Sequence, residues 1–249
     1  MKVVYHPRYE EVYASDPAAK AGRMECILKE VSALYKLVHP EPASVADIKL
    51  AHTDWHLSSI QRMPQTCEVA LLAAGGAIKA SELAMSGEPA FGLIRPPGHH
   101  ASPDSCWGFC FFNNMAVAIA KLRKEGKIKR AVILDFDLHY GDGTDNIFSG
   151  VSDVVYFHPE SRDRQEFVDS IALLLERQKA DIIGVSAGFD RHEEDWGGQL
   201  KTEDYQAIGK LVKEFSERVC RGRRFGVLEG GYNHSVLGKN VKAFLYGLS

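Results

Sequence analysis

Residues 131–143 read Ala131-Val132-Ile133-Leu134-Asp135-Phe136-Asp137-Leu138-His139-Tyr140-Gly141-Asp142-Gly143. The apolar, β-branched start has the length and composition of a buried strand. The strand then runs into Asp135, Asp137, His139 and Asp142. Charge concentrated at the end of an apolar strand lies where a hydrophobic core excludes it. Asp137 and His139 are separated by one residue, so on extended backbone they point the same way, and Asp135 shares their face. The plainer reading of Asp135 is a carboxylate that caps a helix or closes a turn. The chemical reading is that one carboxylate oxygen and one imidazole nitrogen converge on a single metal ion.

Outward from this stretch, strand and helix patterns alternate. Val3–Tyr5, Phe91–Ile94, Ala131–Phe136, Val154–Phe157, Asp181–Ser186 and Phe225–Leu228 read as buried strands. Between them, helical periodicity covers 23–37, 66–85, 113–124, 166–179, 203–221 and 236–248, with Thr202 and Thr66 as helix-start signals. Alternation of this kind requires crossover connections and a mainly parallel sheet covered on both faces. With no internal repeat, low-complexity segment or linker, the pattern predicts one α/β domain over residues 1–249, a three-layer αβα sandwich. Ligands in such folds bind outside the carboxyl ends of the strands.

Three other predicted strand ends carry unusual chemistry. Phe91–Ile94 leads into Arg95-Pro96-Pro97-Gly98-His99-His100-Ala101. Two imidazoles on a loop stiffened by Pro and Gly suit proton transfer near neutral pH; the plainer alternative is a pair of structural histidines bonded to backbone. Asp181–Val185 leads into Ser186-Ala187-Gly188-Phe189-Asp190, and Phe225–Leu228 into Glu229-Gly230-Gly231-Tyr232-Asn233. Asp190 can complete a metal set with Asp137 and His139. Three protein ligands with an open position is the arrangement of a catalytic metal. Oxygen and nitrogen donors without thiolate suit Zn2+, and admit Fe2+, Co2+ or Mn2+. Asp135 and Asp142 then remain to orient His99 and His100. Tyr232 offers a phenol to a developing oxyanion, or is an ordinary half-buried tyrosine.

The composition is 45% hydrophobic and 25% charged, with a formal charge of −3 and a pI near 6.4. This balance argues against a dedicated nucleic-acid binder. No stretch approaches the roughly 20 apolar residues of a membrane span, and the N-terminus shows no signal-peptide pattern. Five cysteines, Cys26, Cys67, Cys106, Cys110 and Cys220, form no close zinc-knuckle pair. They fit free thiols in a reducing, cytoplasmic compartment.

Taken together, Arg95–Ala101, Gly108-Phe109-Cys110-Phe111-Phe112-Asn113-Asn114, Asp135–Gly143, Ser186–Asp190 and Glu229–Tyr232 resemble, in content and order, the histone deacetylase superfamily with its arginase/deacetylase fold. The resemblance runs from about Tyr5 to the C-terminus. It implies a zinc-dependent amidohydrolase that removes an acyl group, usually acetyl, from an acylated amine such as acyl-lysine. On that resemblance Asp137, His139 and Asp190 are the metal ligands. His99 and His100 are the histidine pair, bonded to Asp135 and Asp142 respectively, and Tyr232 is the oxyanion donor. Gly108 and Phe109 line a narrow acyl channel, with Gly230 and Gly231 beside it. Members of the family also often hold a structural potassium around the backbone of Asp135–His139.

The chain departs from that pattern in three places. The segment after Phe157, His158-Pro159-Glu160-Ser161-Arg162-Asp163, is far shorter than the Gly/Pro-rich loop usual there, and it has no aromatic to form the channel's second wall. Either the pocket is open to a bulkier amide, or a partner subunit in a homo-oligomer completes it. Asp16–Arg23 replaces the family's His-Pro-Glu-rich turn while retaining an arginine. Arg62 stands where many members carry a rim aspartate, a poor match for a polycationic substrate. The alternatives are an acetylpolyamine or small-amide amidohydrolase sharing the same metal site, a two-metal arginase-like enzyme, and a non-catalytic acyl-amine binder. The arginase reading lacks an Asp two residues after Asp190, and the binder reading would be expected to have lost Tyr232 or a histidine.

Overall fold

Seven parallel strands form one sheet: β1 (Lys2–Val4), β2 (Lys36–Val38), β3 (Ala90–Gly92), β4 (Ala131–Asp135), β5 (Val154–Phe157), β6 (Ile182–Ala187) and β7 (Arg224–Leu228). Their spatial order is β2-β1-β3-β7-β6-β4-β5. The computed structural model describes residues 1–249. Strands β4, β6 and β7 are buried at every position, as a parallel sheet covered on both faces requires.

Nine helices cover it: α1 (Arg23–Val31), α2 (Val45–Ile48), α3 (Asp54–Gln61), α4 (Pro64–Met85), α5 (Asn114–Lys124), α6 (Asp142–Phe148), α7 (Arg164–Arg177), α8 (Thr202–Val219) and α9 (His234–Leu248). Helices α4 and α5 pack together as one layer, and α1, α7, α8 and α9 form the other. One continuous cluster of 66 buried apolar residues links both layers to the sheet, so the chain has a single core. No helix is long and apolar enough to cross a membrane.

All six predicted strands are present. Strand β2 is not anticipated, because Lys36–Val38 lies across the end of the predicted helix 23–37. Helix α1 stops at Val31, and the chain then pairs Leu37 with Val3 at the sheet edge. The start signals also shift. Lys201 is the residue before α8, and Thr202, its first residue, donates to Asn240 Oδ1 at 2.7 Å. Helix α4 begins at Pro64, where a missing N–H costs nothing, and the Thr66 hydroxyl donates to the Tyr13 carbonyl.

Because β3, β7, β6 and β4 are adjacent and parallel, their carboxyl ends share one rim. The four polar strand ends are therefore neighbours.

Candidate active site

The loop after β3 is held from two sides. The buried Arg95 guanidinium donates to the carbonyls of Glu11, Ala18 and Lys20. Glu229, at the end of β7, accepts from Gly98 N at 2.7 Å and His99 N at 3.3 Å through Oε2, and from Ser186 Oγ at 3.0 Å through Oε1. Burial raises the Glu229 carboxyl to about 7, against the opposing charge of His99. His99 and His100 are thereby presented with ring centroids 4.1 Å apart, both buried.

Each imidazole faces its own carboxylate. His99 Nδ1 is 3.0 Å from Asp135 Oδ2, and His100 Nδ1 is 2.7 Å from Asp142 Oδ1. Asp135 Oδ2 also accepts from the Tyr156 hydroxyl at 3.0 Å, and Asp135 Oδ1 from Asp137 N at 3.1 Å. Tyr156 in turn accepts from Gly141 N at 2.8 Å, which fixes the loop between the two carboxylates. Asp142 Oδ2 accepts from the Trp107 indole N–H at 2.8 Å, and the Trp107 ring lies 3.8 Å from that of His100. The two carboxylates place a proton on Nδ1 of each ring, which in a neutral imidazole leaves Nε2 as the free base.

The two rings differ electrically. Burial opposes charge on His99, but Asp135, Asp137 and Glu229 outweigh it and hold the imidazole well above its ordinary range. Burial, reinforced by the neighbouring His99, lowers His100 to about 4. The carboxylates favour the cation on His99, whereas burial favours the free base on His100.

Asp137, His139 and Asp190 converge, each offering a donor atom within 4.8 Å of the others. His139 Nδ1 is 3.2 Å from Asp137 Oδ1 and 3.2 Å from Asp190 Oδ2. It hydrogen-bonds the first, and Asp190 Oδ2 is a buried oxygen with no hydrogen-bond partner. Backbone amides hold the other oxygens: Leu138 N donates to Asp190 Oδ1, and Gly230 N to Asp137 Oδ2 at 2.8 Å. Arg191 fixes the same turn by donating to the Asp137 carbonyl. A Cβ on Gly230 would fall 2.5 Å from Asp137 Oδ2 and 2.8 Å from Asp190 Oδ2, so only glycine leaves room for the paired carboxylates.

The cluster draws positive charge. The adjacent carboxylates of Asp137 and Asp190 raise His139 to about 10, and burial together with Asp137 raises Asp190 to about 6. Two buried carboxylates, an imidazole and an orphaned oxygen fit a divalent cation by donor chemistry and by charge. A second buried group, His99, Cys110 and Glu229, also lies close enough to hold an ion. Its Glu229 oxygens are already bound to Gly98, His99 and Ser186, and His100 N contacts Cys110 Sγ.

Above the cluster is a narrow cavity of about 110 Å³, lined by His99, His100, Trp107, Gly108, Phe109, His139, Trp196, Gly230 and Tyr232, with Pro97 at its edge. Gly231 does not line it. Its φ of 115° turns the chain, and its carbonyl accepts from the buried Arg23 at 2.9 Å. The Tyr232 ring stacks on Trp196 at 4.1 Å and meets Phe109 edge-on at 6.1 Å. Burial, with Asp137 and Asp190, raises the Tyr232 phenol far above its ordinary range, so it stays protonated. Asp195 Oδ2 accepts from Tyr232 N and Asn233 N, each at 2.8 Å, and Asp195 Oδ1 accepts from Trp196 N.

The second aromatic wall, expected to be missing, is therefore built from another loop. Trp196, in the loop after β6, stands 6.0 Å from His139 and closes the side that the short segment 158–163 leaves bare. The neck is consequently narrow, which disfavours the open pocket among the two readings of the short segment. The shortened segment instead borders a separate groove of about 530 Å³ beyond Trp196, lined in part by Tyr140, His158, Arg162 and Gln199. Arg62 ends α3 and is exposed, away from the lining of the narrow cavity.

Comparison with known proteins places this arrangement. The family model described as the histone deacetylase domain matches residues 17–163 and 159–248. The chain is 29% identical over its full length to a "Probable deacetylase" of Methanothermobacter thermautotrophicus, covering 90% of that protein. It is 30% identical to a "Histone deacetylase-like amidohydrolase" of Pseudomonas aeruginosa, over 90% of this chain and 74% of that one. The crystal structure of the HDA15 HD domain superposes with a TM-score of 0.83 at 21% identity, covering 98% of this chain and 90% of that chain, and shares the fold. In sequence and in fold, the chain belongs to the histone deacetylase family of amide-cleaving hydrolases.

Proposed function

We propose that the chain is a metal-dependent deacetylase that removes a short acyl group, acetyl foremost, from an acyl-lysine or a related acylated amine. The reading is carried by one observation: two buried histidines, each oriented by its own carboxylate, stand beside a three-ligand metal set on the floor of a narrow cavity. A cavity of about 110 Å³ is far smaller than a site for a bulky ligand, which favours a short acyl chain. Asp137, His139 and Asp190 would hold a zinc ion, with ferrous ion meeting the same donor preference. A divalent ion there supplies Lewis acidity to the amide carbonyl and lowers the pKa of a water.

The protein groups divide the remaining work. His100, neutral at physiological pH, takes the proton of the attacking water through Nε2, and Asp142 steadies the imidazolium that forms. His99, held cationic by Asp135, adds positive potential where negative charge develops. Tyr232 donates its O–H to the oxyanion, with Asp195 and Trp196 fixing its position. His100 then returns the proton to the leaving amine. Trp107, Trp196 and Phe109 form an apolar collar suited to an alkyl chain. Five free cysteines support a reducing, cytoplasmic location.

The test is a turnover screen over acetyl-lysine peptides, acetylpolyamines and small acetylated amides, with and without chelator. Chelator is expected to abolish amide hydrolysis and zinc to restore it. Activity indifferent to chelator would overturn the metal reading. Preference for acetylpolyamines over acetyl-lysine peptides would move the substrate class while leaving the chemistry in place.

A further inference from the structure

A third cavity lies at the opposite, amino-terminal end of the strands. Three adjacent strands, β7, β6 and β4, are each entered by a basic run: Arg221-Gly222-Arg223-Arg224, Arg177-Gln178-Lys179 and Lys127-Ile128-Lys129-Arg130. Parallel pairing brings all three runs to one corner. There a cavity of about 590 Å³ is lined by Lys129, Arg130, Arg177, Lys179 and Arg218. It is separated from the catalytic rim by the length of β4, about 15 Å at about 3.3 Å per residue.

The charge at this corner is only partly compensated. Glu176 and Asp181 are the only carboxylates in the lining. One Asp181 oxygen is already committed, accepting from Lys129 N and Arg130 N at 2.8 Å each. None of the five cations forms an ion pair, whereas the nearby Lys127 is paired with Glu125. Cations at helix C-termini can serve the helix dipole, which accounts for Arg177 and Arg218 at the ends of α7 and α8. It does not account for Lys129, Arg130 and Lys179, which lie outside helices. In a chain of net charge −3 this concentration of unpaired cations is a local excess.

We propose that this corner is a binding site for a compact anion carrying several phosphate groups. Arg130 and Arg177 supply planar forks that match phosphate oxygens in pairs, and Arg218, whose Nη2 donates to the Leu175 carbonyl, adds its charge. The volume lies within the range of about 300–1,000 Å³ common for small-molecule sites. The lining holds no aromatic ring, and its only apolar members are Ala180 and Val219, so the ligand is recognised by its phosphates and not by a stacked base.

The probe is tripolyphosphate, titrated calorimetrically at low salt into zinc-loaded protein and into chelator-treated, dialysed protein. Saturable binding with one site per chain is expected, equal in both forms, with orthophosphate at least tenfold weaker. Charge reversal at Arg177 and Lys179 (R177E/K179E) is expected to weaken binding at least tenfold and to leave turnover of an acetyl-lysine peptide and the melting temperature unchanged. The same reversal at the exposed, remote Lys36 and Lys239 is expected to leave binding intact. Equal loss in both double variants would reduce the effect to overall charge and overturn the site. Heat seen only with zinc-loaded protein would mark metal sequestration and also overturn it. So would tighter binding of a single-stranded RNA oligonucleotide that grows with its length, which would make the corner a nucleic-acid surface.

Discussion

Replacing Gly108 by alanine perturbs the candidate base without touching a metal ligand. Gly108 has φ 59°, in the left-handed region, where a Cβ costs about 1–2 kcal/mol. Its added Cβ would also lie less than 3.0 Å from His100 Cδ2 and 3.2 Å from its Cγ and Nε2. The His100 ring cannot simply retreat. Trp107 lies against it at 3.8 Å, His99 at 4.1 Å, and Asp142 holds its Nδ1. Relief requires a ring shift on the order of 1 Å, and a misplacement of that size can cost about 100-fold in rate. The expected result is kcat down about 100-fold with bound metal unchanged, and a melting temperature lower by about 2–8 °C. Gly126→Ala is the control. It has φ 67° and nothing within 4 Å of its added Cβ, so it carries the same backbone cost without the ring contact. Steady-state kinetics, metal analysis and thermal melts on the two variants separate the effects. Full kcat in Gly108→Ala, or an equal loss in Gly126→Ala, would refute the reasoning.

Tyr232→Phe should lower kcat by about 10²–10³, the usual cost of one oxyanion donor, with metal content intact by elemental analysis. Asp195→Ala frees the amides of Tyr232 and Asn233; kcat should fall at least tenfold, and a melt should show the fold retained. His100 works as a base only when neutral, and its pKa of about 4 places the acidic limb of kcat/KM below the value near 6.5 of a free imidazole; a limb at or above 6.5 would remove His100 from that role. Zinc at about 100 times its Kd should stabilise the protein by about 2.7 kcal/mol, a rise in melting temperature that Asp190→Asn abolishes.

The strands were legible because buried parallel strands announce themselves as short apolar runs. The residues of the candidate site were legible because Asp135, Asp137, His139 and Asp190 sit where apolar strands end in charge. What escaped has physical reasons. Strand β2 has three partly exposed residues, too few to interrupt the helical pattern before it. Trp107 and Trp196 lie on irregular loops, where no periodicity fixes the direction of a side chain. Tyr156 reads as an ordinary strand residue, and its bond to Asp135 exists only because β5 lies beside β4. Glu229 was visible at a strand end, but its hold on Gly98 spans 131 residues of sequence. Arg23 begins an ordinary amphipathic helix, and nothing local marks it as buried against the carbonyls of Glu229 and Gly231.

The chain has three tryptophans, Trp55, Trp107 and Trp196, and two of them stand in the candidate site, one against His100 and one against Tyr232. Indole emission is quenched by a protonated imidazole in contact with it and changes when a stacked neighbour is displaced. The protein therefore carries its own optical reporters. Trp107 is placed to report the protonation of His100 and Trp196 the arrival of a ligand beside Tyr232, so Trp55→Phe combined with Trp196→Phe would leave a reporter for the proton, and combined with Trp107→Phe one for the substrate.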